Sequence, residues 1–558
     1  MGLPCVAGFS LPSGSKCATM LREMAEMSDK KELRELAALM QAHGVSRCVI
    51  SPGSRNAPLA LTLSAVGMEC RTVVDERSAG FVALGWAQQV KAPVAVCVTS
   101  GSAVLNLHPA VAEAYYRRIP LLLLTADRPR VWIGQQDGQT LPQPGAFGTL
   151  VRAAFNMPEG DASGQETNRI INEALLELRH RAGGPVQLNI PLSEPLFNTT
   201  TERLPQPRVI RRTELACMTA DDEDALLARV SVLPRRMILV GQLPEEAAIP
   251  PSLVTEKQFA TVGEQLSNSR LLCNRPDALL SLGTDGMAPD LLITVGGCII
   301  SKRLKQLLRN NPPKEHWHIS PDGEVCDTFC ALTHCIEGSA DEVWDLLAAF
   351  ADEGDEDYVS RWAAEPPTFN AAYCGMSAVG AALAALPEHA VLHLGNSSAV
   401  RYAQLFPLRE GIHVECNRGV NGIEGCVSAA LGFAGGDSRL QLLICGDLSF
   451  FYDMNALWMP GISNRVRILL LNNSCGGIFT AIGAPESPLV NAPHRATAEA
   501  WARSCGFAYR AVRREAELLY GIDFLLREDA DSPQLLEVFT NAQEDAAILK
   551  QFYNNAAH

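Results

Sequence analysis

The sequence predicts an α/β protein made of three doubly wound parallel-sheet domains, of which the first and last are related. Three observations predict it. Short apolar runs that end on Gly, Ser, Asn or Asp alternate with helical patterns along most of the 558 residues, which is the signature of parallel strands joined by crossover helices. The C-terminal part then repeats the N-terminal order of motifs: Gly85 matches Gly432 at an offset of 347 residues, and Gly101 matches Gly446 at 345. Polar stretches near Asn198 to Arg212 and Asp352 to Asp357 interrupt the pattern and separate a third unit between the two copies. The boundaries read as 29–200, 213–350 and 360–558, with a leader over 1–28.

The leader, Met1 to about Glu23, mixes Gly, Pro, Ser and Cys without periodicity, and is expected to be disordered. From Lys30 a helical pattern leads into a strand at Arg47 to Ile50 and the turn Ser51 to Arg55. Further strands are expected at Thr72 to Val74, ending on Asp75-Glu76-Arg77, at Val94 to Val98, and at Pro120 to Leu124, which ends at Thr125 to Pro129. The middle unit has strands at Met237 to Gly241, Leu291 to Val295 and His316 to Ile319, with Lys302-Arg303 opening the helix after the second. In the last unit, Val391 to Leu394 leads into Gly395-Asn396-Ser397 and His413 to Glu415 into Asn417-Arg418-Gly419; strands at Leu442 to Cys445 and Ile468 to Leu471 follow.

Composition narrows the function. With 47 basic and 62 acidic residues the net charge is −15, so nucleic acid and anionic membrane would both be repelled by the overall field. No apolar run approaches the roughly 20 residues that span a bilayer. The 17 cysteines are scattered singly through apolar segments, as buried free thiols of a reducing cytoplasm would be. The cluster Cys326, Cys330, His334 and Cys335 has no familiar metal spacing and is read the same way.

The chemistry concentrates where two adjacent parallel strands end. Gly446-Asp447-Leu448-Ser449 closes one and Asn472-Asn473 the next, so Asp447 and Asn473 can face one small site. A hard cation such as Mg²⁺ (or Mn²⁺) takes oxygen ligands, and Asp447, the Asn473 amide oxygen and a backbone carbonyl near Cys475 supply them. Ser449 and the helix start beside Gly446 offer donors to a phosphate. The bland alternative is a strand-end Asp beside a polar turn. Glu76, at a strand end in the first copy, could equally pair with Arg77 or cap its helix.

Two related domains around a third, with Gly-Asp followed by Asn-Asn, resemble the thiamine-diphosphate-dependent decarboxylase and carboligase superfamily. The segments Ser51-Pro52-Gly53-Ser54-Arg55, Asp75-Glu76-Arg77, Thr99-Ser100-Gly101-Ser102, Thr125-Ala126-Asp127-Arg128-Pro129, Ser301-Lys302-Arg303, Gly395-Asn396-Ser397, Asn417-Arg418-Gly419 and Gly446-Asp447-Leu448-Ser449 narrow the resemblance to its menaquinone-pathway branch, the MenD family. Leu448 departs from the superfamily's usual Gly but suits this branch. The resemblance implies thiamine diphosphate and a divalent metal, with a pyrimidine-binding first domain, a diphosphate- and metal-binding last domain, and Glu76 as the catalytic carboxylate beside the pyrimidine. Gly446, Asp447, Leu448, Ser449, Asn473, Asn396 and Ser397 would hold the cofactor, and Asp447, Asn473 and Cys475 the metal. It further implies a homodimer or homotetramer with active sites between subunits. The implied reaction is decarboxylation of 2-oxoglutarate followed by Stetter-like 1,4-addition to isochorismate. Both substrates are dicarboxylates that need cations: Arg55, Lys302 and Arg303, with Ser54, for isochorismate; Arg418 for 2-oxoglutarate; Arg128 and Gln139 for either. Another thiamine-dependent 2-oxo acid decarboxylase or carboligase is the alternative.

Overall fold

The computed structural model describes residues 26–212, 220–255, 258–348, 354–481, 483–485 and 487–555. Residues 1–25, most of the expected leader, lie outside them. Met27–Ser28 (β1), assigned to the leader from sequence, instead pairs antiparallel with Thr199–Thr200 (β8).

Between those two strands lies the first parallel sheet: Arg47–Ile50 (β2), Glu69–Thr72 (β3), Val94–Val98 (β4), Leu121–Asp127 (β5), Ala153–Asn156 (β6) and Val186–Pro191 (β7), in the order β3-β2-β4-β5-β7-β6. The strand expected at Thr72 to Val74 thus lies slightly earlier. The middle sheet contains Arg236–Val240 (β9), Ala260–Gly263 (β10), Leu291–Val295 (β11), Glu315–Ser320 (β12) and Leu332–Glu337 (β13), in the order β10-β9-β11-β12-β13. The last sheet contains Val391–Leu394 (β14), His413–Cys416 (β15), Gln441–Gly446 (β16), Val466–Asn472 (β17), Ala508–Val512 (β18) and Gln534–Phe539 (β19), in the order β15-β14-β16-β17-β19-β18. Its order is that of the first sheet, strand for strand, and all three sheets are parallel. Strands such as β4 and β17, largely apolar and buried along their whole length, require helices on both faces.

The two copies pack on each other through the glycines that reveal the repeat. The helix Glu76–Val90 crosses the helix Cys426–Ala434 so closely that a Cβ on Gly85 would lie 2.0 Å from the Ala429 carbonyl oxygen, and one on Gly432 would lie 2.2 Å from that of Val82. Each glycine meets the residue three before its counterpart, so the contact is a pseudo-twofold one. Gly432→Ala is therefore expected to force the helices apart and lower the apparent Tm by roughly 5 °C or more, measurable by differential scanning calorimetry. An unchanged Tm would mean that the crossing adjusts without cost.

Two further expectations change. Residues 349–353 lie outside the described residues, but the expected acidic linker does not extend to Asp357. Asp355 caps the helix Glu356–Trp362 by accepting from Tyr358 N, and Tyr358, Val359 and Trp362 are buried in the core of the middle domain. Cys330 and Cys335 are exposed and Cys326 is half-buried; Cys335 lies on β13, an edge strand with alternating burial, and the other two lie in the segment before it, so the reading of these thiols as buried does not hold.

Candidate active site

Strands β16 and β17 pair Gly446 with Leu471, which brings Asp447 and the Asn472-Asn473 turn to the same edge. Asp447 opens the short helix Asp447–Tyr452 and is 3 % exposed. Its Oδ1 accepts the Leu448 N–H at 2.7 Å. Its Oδ2 has His494 Nε2 at 3.2 Å but out of alignment, so neither atom has a hydrogen-bond partner. Burial holds the Asp447 carboxyl above the usual carboxylate range, against the opposing pull of the Leu448 N–H and His494. A buried carboxylate oxygen whose close neighbour is a poorly aligned imidazole is an unusual expense, and a divalent cation would satisfy it. Open space beside Gly446, where a Cβ would meet nothing within 4 Å, leaves room for a phosphate.

The neighbouring polar groups divide into those free to bind and those already engaged. Asn472 is structural: its Nδ2 donates to Glu537 Oε1 at 2.7 Å and its Oδ1 accepts from Ser474 N at 3.0 Å. Asn473 Oδ1 accepts the Cys475 N–H at 3.3 Å and lies 3.8 Å from its Sγ, and the Cys475 carbonyl accepts the Gly477 N–H at 2.9 Å. Leu448 is half-buried. The Ser449 hydroxyl donates to the Ile423 carbonyl at 2.5 Å, so it holds the preceding loop rather than presenting a donor to phosphate. Asn396 is likewise committed. Its Nδ2 donates to the carbonyls of Asn417 (2.6 Å) and Gly422 (2.7 Å), and its Oδ1 accepts from Arg418 Nη1 at 3.0 Å. It braces the Arg418 loop, and Glu113 of the first domain grips the same loop by accepting the N–H groups of Gly419 and Val420, each at 2.9 Å. Ser397 (φ 72°), Ser474 (φ 61°) and Gln139 (φ 59°) all sit in the left-handed region, backbone strain of the kind that gathers at functional sites.

Beside this edge is a cavity of about 310 Å³ between the middle and last domains. Lys302 and Arg303 line it, as do Arg401, Ile478 and the C-terminal helix. Lys302 and Arg401 have no salt-bridge partner among the described residues, whereas Arg303 Nη1 meets Asp277 Oδ2 at 2.9 Å. Burial lowers the Arg401 pKa, and the nearby Arg418 lowers it further, so the cations crowd one another. Sequence reasoning missed Arg401. The only signal was its place on the helix Ser398–Ala403, directly after the Gly395-Asn396-Ser397 turn.

Glu264, also in the wall, is buried and accepts the Ile300 and Ser301 N–H groups, both at 2.6 Å. Burial nevertheless pushes its carboxyl from 4.5 up to about 7. The folded protein then binds a proton that the unfolded chain releases, so this group's contribution to stability is present below pH 4.5 and is lost as pH rises to 7. The Tm advantage of the wild type over Glu264→Gln is expected to be larger at pH 5 than at pH 8. The reverse order would contradict the shift.

The remaining candidates form a second group on the first domain. Asp75, not Glu76, caps the helix, accepting from Arg77 N and Ser78 N. Arg77 donates to the Tyr452 carbonyl at 2.7 Å and stacks on its ring. Glu76 is thereby spared both of its ordinary structural uses; its Oε2 accepts from Asn106 Nδ2 at 3.1 Å. Arg55, read from sequence as a substrate cation, is 3 % exposed and tied to the Leu192 carbonyl (2.7 Å) and Glu194 (3.1 Å). Ser54 and Gln139 are exposed, and Arg128 Nε reaches the Gly138 carbonyl at 3.3 Å. None of these lines the cavity.

The chain matches a family model described as the thiamine pyrophosphate enzyme N-terminal TPP binding domain over residues 33–145. It is 46 % identical over 549 residues to the 2-succinyl-5-enolpyruvyl-6-hydroxy-3-cyclohexene-1-carboxylate synthase of Bacteroides fragilis, spanning 94 % of this chain and 99 % of that protein. The chain belongs to this synthase family. The proteins of the same name from Bacteroides thetaiotaomicron and Porphyromonas gingivalis are 45 % and 37 % identical, over 94 % and 95 % of this chain and 99 % and 98 % of theirs. As a member of the synthase family it is a thiamine-diphosphate-dependent enzyme. Among the described residues no helix is long and apolar enough to cross a membrane.

Proposed function

We propose that this protein decarboxylates 2-oxoglutarate and joins the four-carbon remainder to isochorismate by 1,4-addition, yielding 2-succinyl-5-enolpyruvyl-6-hydroxy-3-cyclohexene-1-carboxylate for menaquinone biosynthesis. The observation that carries the reading is a cavity whose cations Lys302 and Arg401 have no salt-bridge partner among the described residues, beside a buried Asp447 oxygen that has no aligned hydrogen bond and only the His494 imidazole at 3.2 Å. The first suits a dicarboxylate and the second a metal-bound diphosphate.

Asp447, Asn473 and the Cys475 carbonyl would hold Mg²⁺ or Mn²⁺. When bound, thiamine diphosphate supplies the carbon nucleophile and the electron sink that loss of CO₂ from a 2-oxo acid requires. Lys302 and Arg303 orient the carboxylates of isochorismate; Arg401 and Arg418 face the other substrate. Apolar wall residues such as Ile300, Ile478 and Leu549 exclude the water that would otherwise protonate the reacting carbon. Glu76 holds the proton that must be exchanged at the cofactor.

Glu76 makes no hydrogen bond or ion pair with the Asp447 group among the described residues. We infer that a second copy of the chain brings the two together, in a dimer or tetramer. Val74, Leu105, Tyr452 and Trp458, each about half exposed, flank Glu76, Asn106 and the Arg77 contact and would be covered by that interface. The described cysteines form no disulfide among themselves, which accords with a reducing cytoplasm.

Loss of isochorismate absorbance on adding 2-oxoglutarate, thiamine diphosphate and Mg²⁺, with each omitted in turn, tests the reaction. The proposal predicts a loss that needs all of them. CO₂ release from another 2-oxo acid with isochorismate untouched would overturn the substrates.

A further inference from the structure

The last helix of the chain, Ala542–Asn555, carries none of the motifs that mark the cofactor or substrate cations, yet it forms a wall of the cavity. Ala546, Leu549, Lys550 and Tyr553 recur at the three- and four-residue spacing of one helical face, and that face lines the cavity together with Lys302 and Arg401. The helix is firmly seated at both ends. Asp545, 3 % exposed, accepts Gly375 N at 2.9 Å and Thr540 Oγ1 at 2.8 Å, and the Phe552 ring packs on Phe369 with centroids 5.4 Å apart.

Tyr553 meets Arg303 directly. The Arg303 guanidinium stacks 3.8 Å from the Tyr553 ring centroid while its Nη1 bonds Asp277 at 2.9 Å, and the Tyr553 hydroxyl lies near the same carboxylate. A long, flexible cation is thus clamped between a ring and a carboxylate at the cavity wall. Lys550 is exposed on the same face and has no salt-bridge partner among the described residues.

We propose that the C-terminal helix is part of the acceptor site: Lys550 binds a carboxylate of the dianionic six-membered-ring acceptor, and Tyr553 is a positioning residue that holds Arg303 toward it. The assignment rests on the functional reading above and deepens it. The helix thereby sets which acceptor is used, while decarboxylation of the 2-oxo acid proceeds without it.

The test compares wild type, Lys550→Met, Tyr553→Ala and Tyr553→Phe. Three quantities are read: the Kd of isochorismate by calorimetry on cofactor-free protein, its KM, and the rate of succinic semialdehyde release from 2-oxoglutarate alone. Lys550→Met and Tyr553→Ala are expected to raise Kd and KM for isochorismate roughly five- to tenfold, with aldehyde release close to wild type in both and Tm close to wild type in Lys550→Met. Tyr553→Phe, which keeps the stack, is expected to stay within about twofold. A helix with a merely structural role would leave Lys550→Met like wild type and would cost Tyr553→Ala its Tm and both half-reactions together. Either variant binding isochorismate as wild type does overturns the proposal. Wild type that releases aldehyde but neither binds nor consumes isochorismate would instead overturn the functional reading on which it rests.

Discussion

Glu76→Gln is expected to lower isochorismate consumption by about 10²–10⁴-fold while leaving Tm and thiamine diphosphate binding close to wild type. The structure separates these two effects. Helix capping falls to Asp75 and the interdomain contact to Arg77, so the Glu76 carboxylate bears little of the fold. Its hydrogen bond from Asn106 survives in the amide, which still offers an acceptor oxygen. What the amide loses is the ability to exchange a proton. Turnover assayed with saturating cofactor, beside a calorimetric Tm, checks both halves. Normal turnover would remove Glu76 from the chemistry, and a collapsed Tm would make it structural.

The second large effect is expected at Asp447. Asp447→Asn should weaken metal-dependent binding of thiamine diphosphate by at least about 100-fold and abolish activity without lowering the Tm of the cofactor-free protein. The sign on stability follows from burial: the folded protein carries a carboxyl held above its usual range, and a neutral amide removes that penalty while still accepting the Leu448 N–H. Titration of the fluorescence change on adding cofactor and Mg²⁺ gives the affinity. Unchanged affinity would show that the metal is held elsewhere.

Much of this architecture is legible in the sequence because a parallel strand buried on both faces reads mostly as a continuous apolar run, as do β4, Leu121 to Leu124 of β5, Leu442 to Cys445 of β16 and Ile468 to Leu471 of β17. The strands that escaped notice interrupt it. In β7, Gln187 and Asn189 are buried polar residues, satisfied by Gln143 and Asp127 across the sheet. In β19, Glu537 is fully buried and bound by Asn472, Ala498 and Tyr509. Such networks hide strands because their partners are distant in sequence. β6 and β13 are edges with alternating burial.

The site was legible as chemistry but not as allocation. Asp447 and Asn473 follow from strand ends, whereas only the folded chain shows that Ser449, Asn396 and Arg55 spend their hydrogen bonds on the protein itself. Arg401 and Tyr553 reach the cavity from helices whose local pattern differs in no way from a solvated or core-facing surface. Their roles come from what the fold sets opposite them.

In the proposed enzyme the Glu76 group and the Asp447 group are two halves of one centre contributed by different subunits. The most direct test is complementation: Glu76→Gln and Asp447→Asn chains, each inactive alone, are co-expressed and the mixed oligomers assayed for isochorismate consumption. Each mixed pair contains one site with both residues intact, so activity is expected to return to roughly a quarter of wild type for random pairing in dimers. Mixed oligomers that form and remain inactive would contradict the account, because Glu76 and Asp447 would then have to act within a single chain.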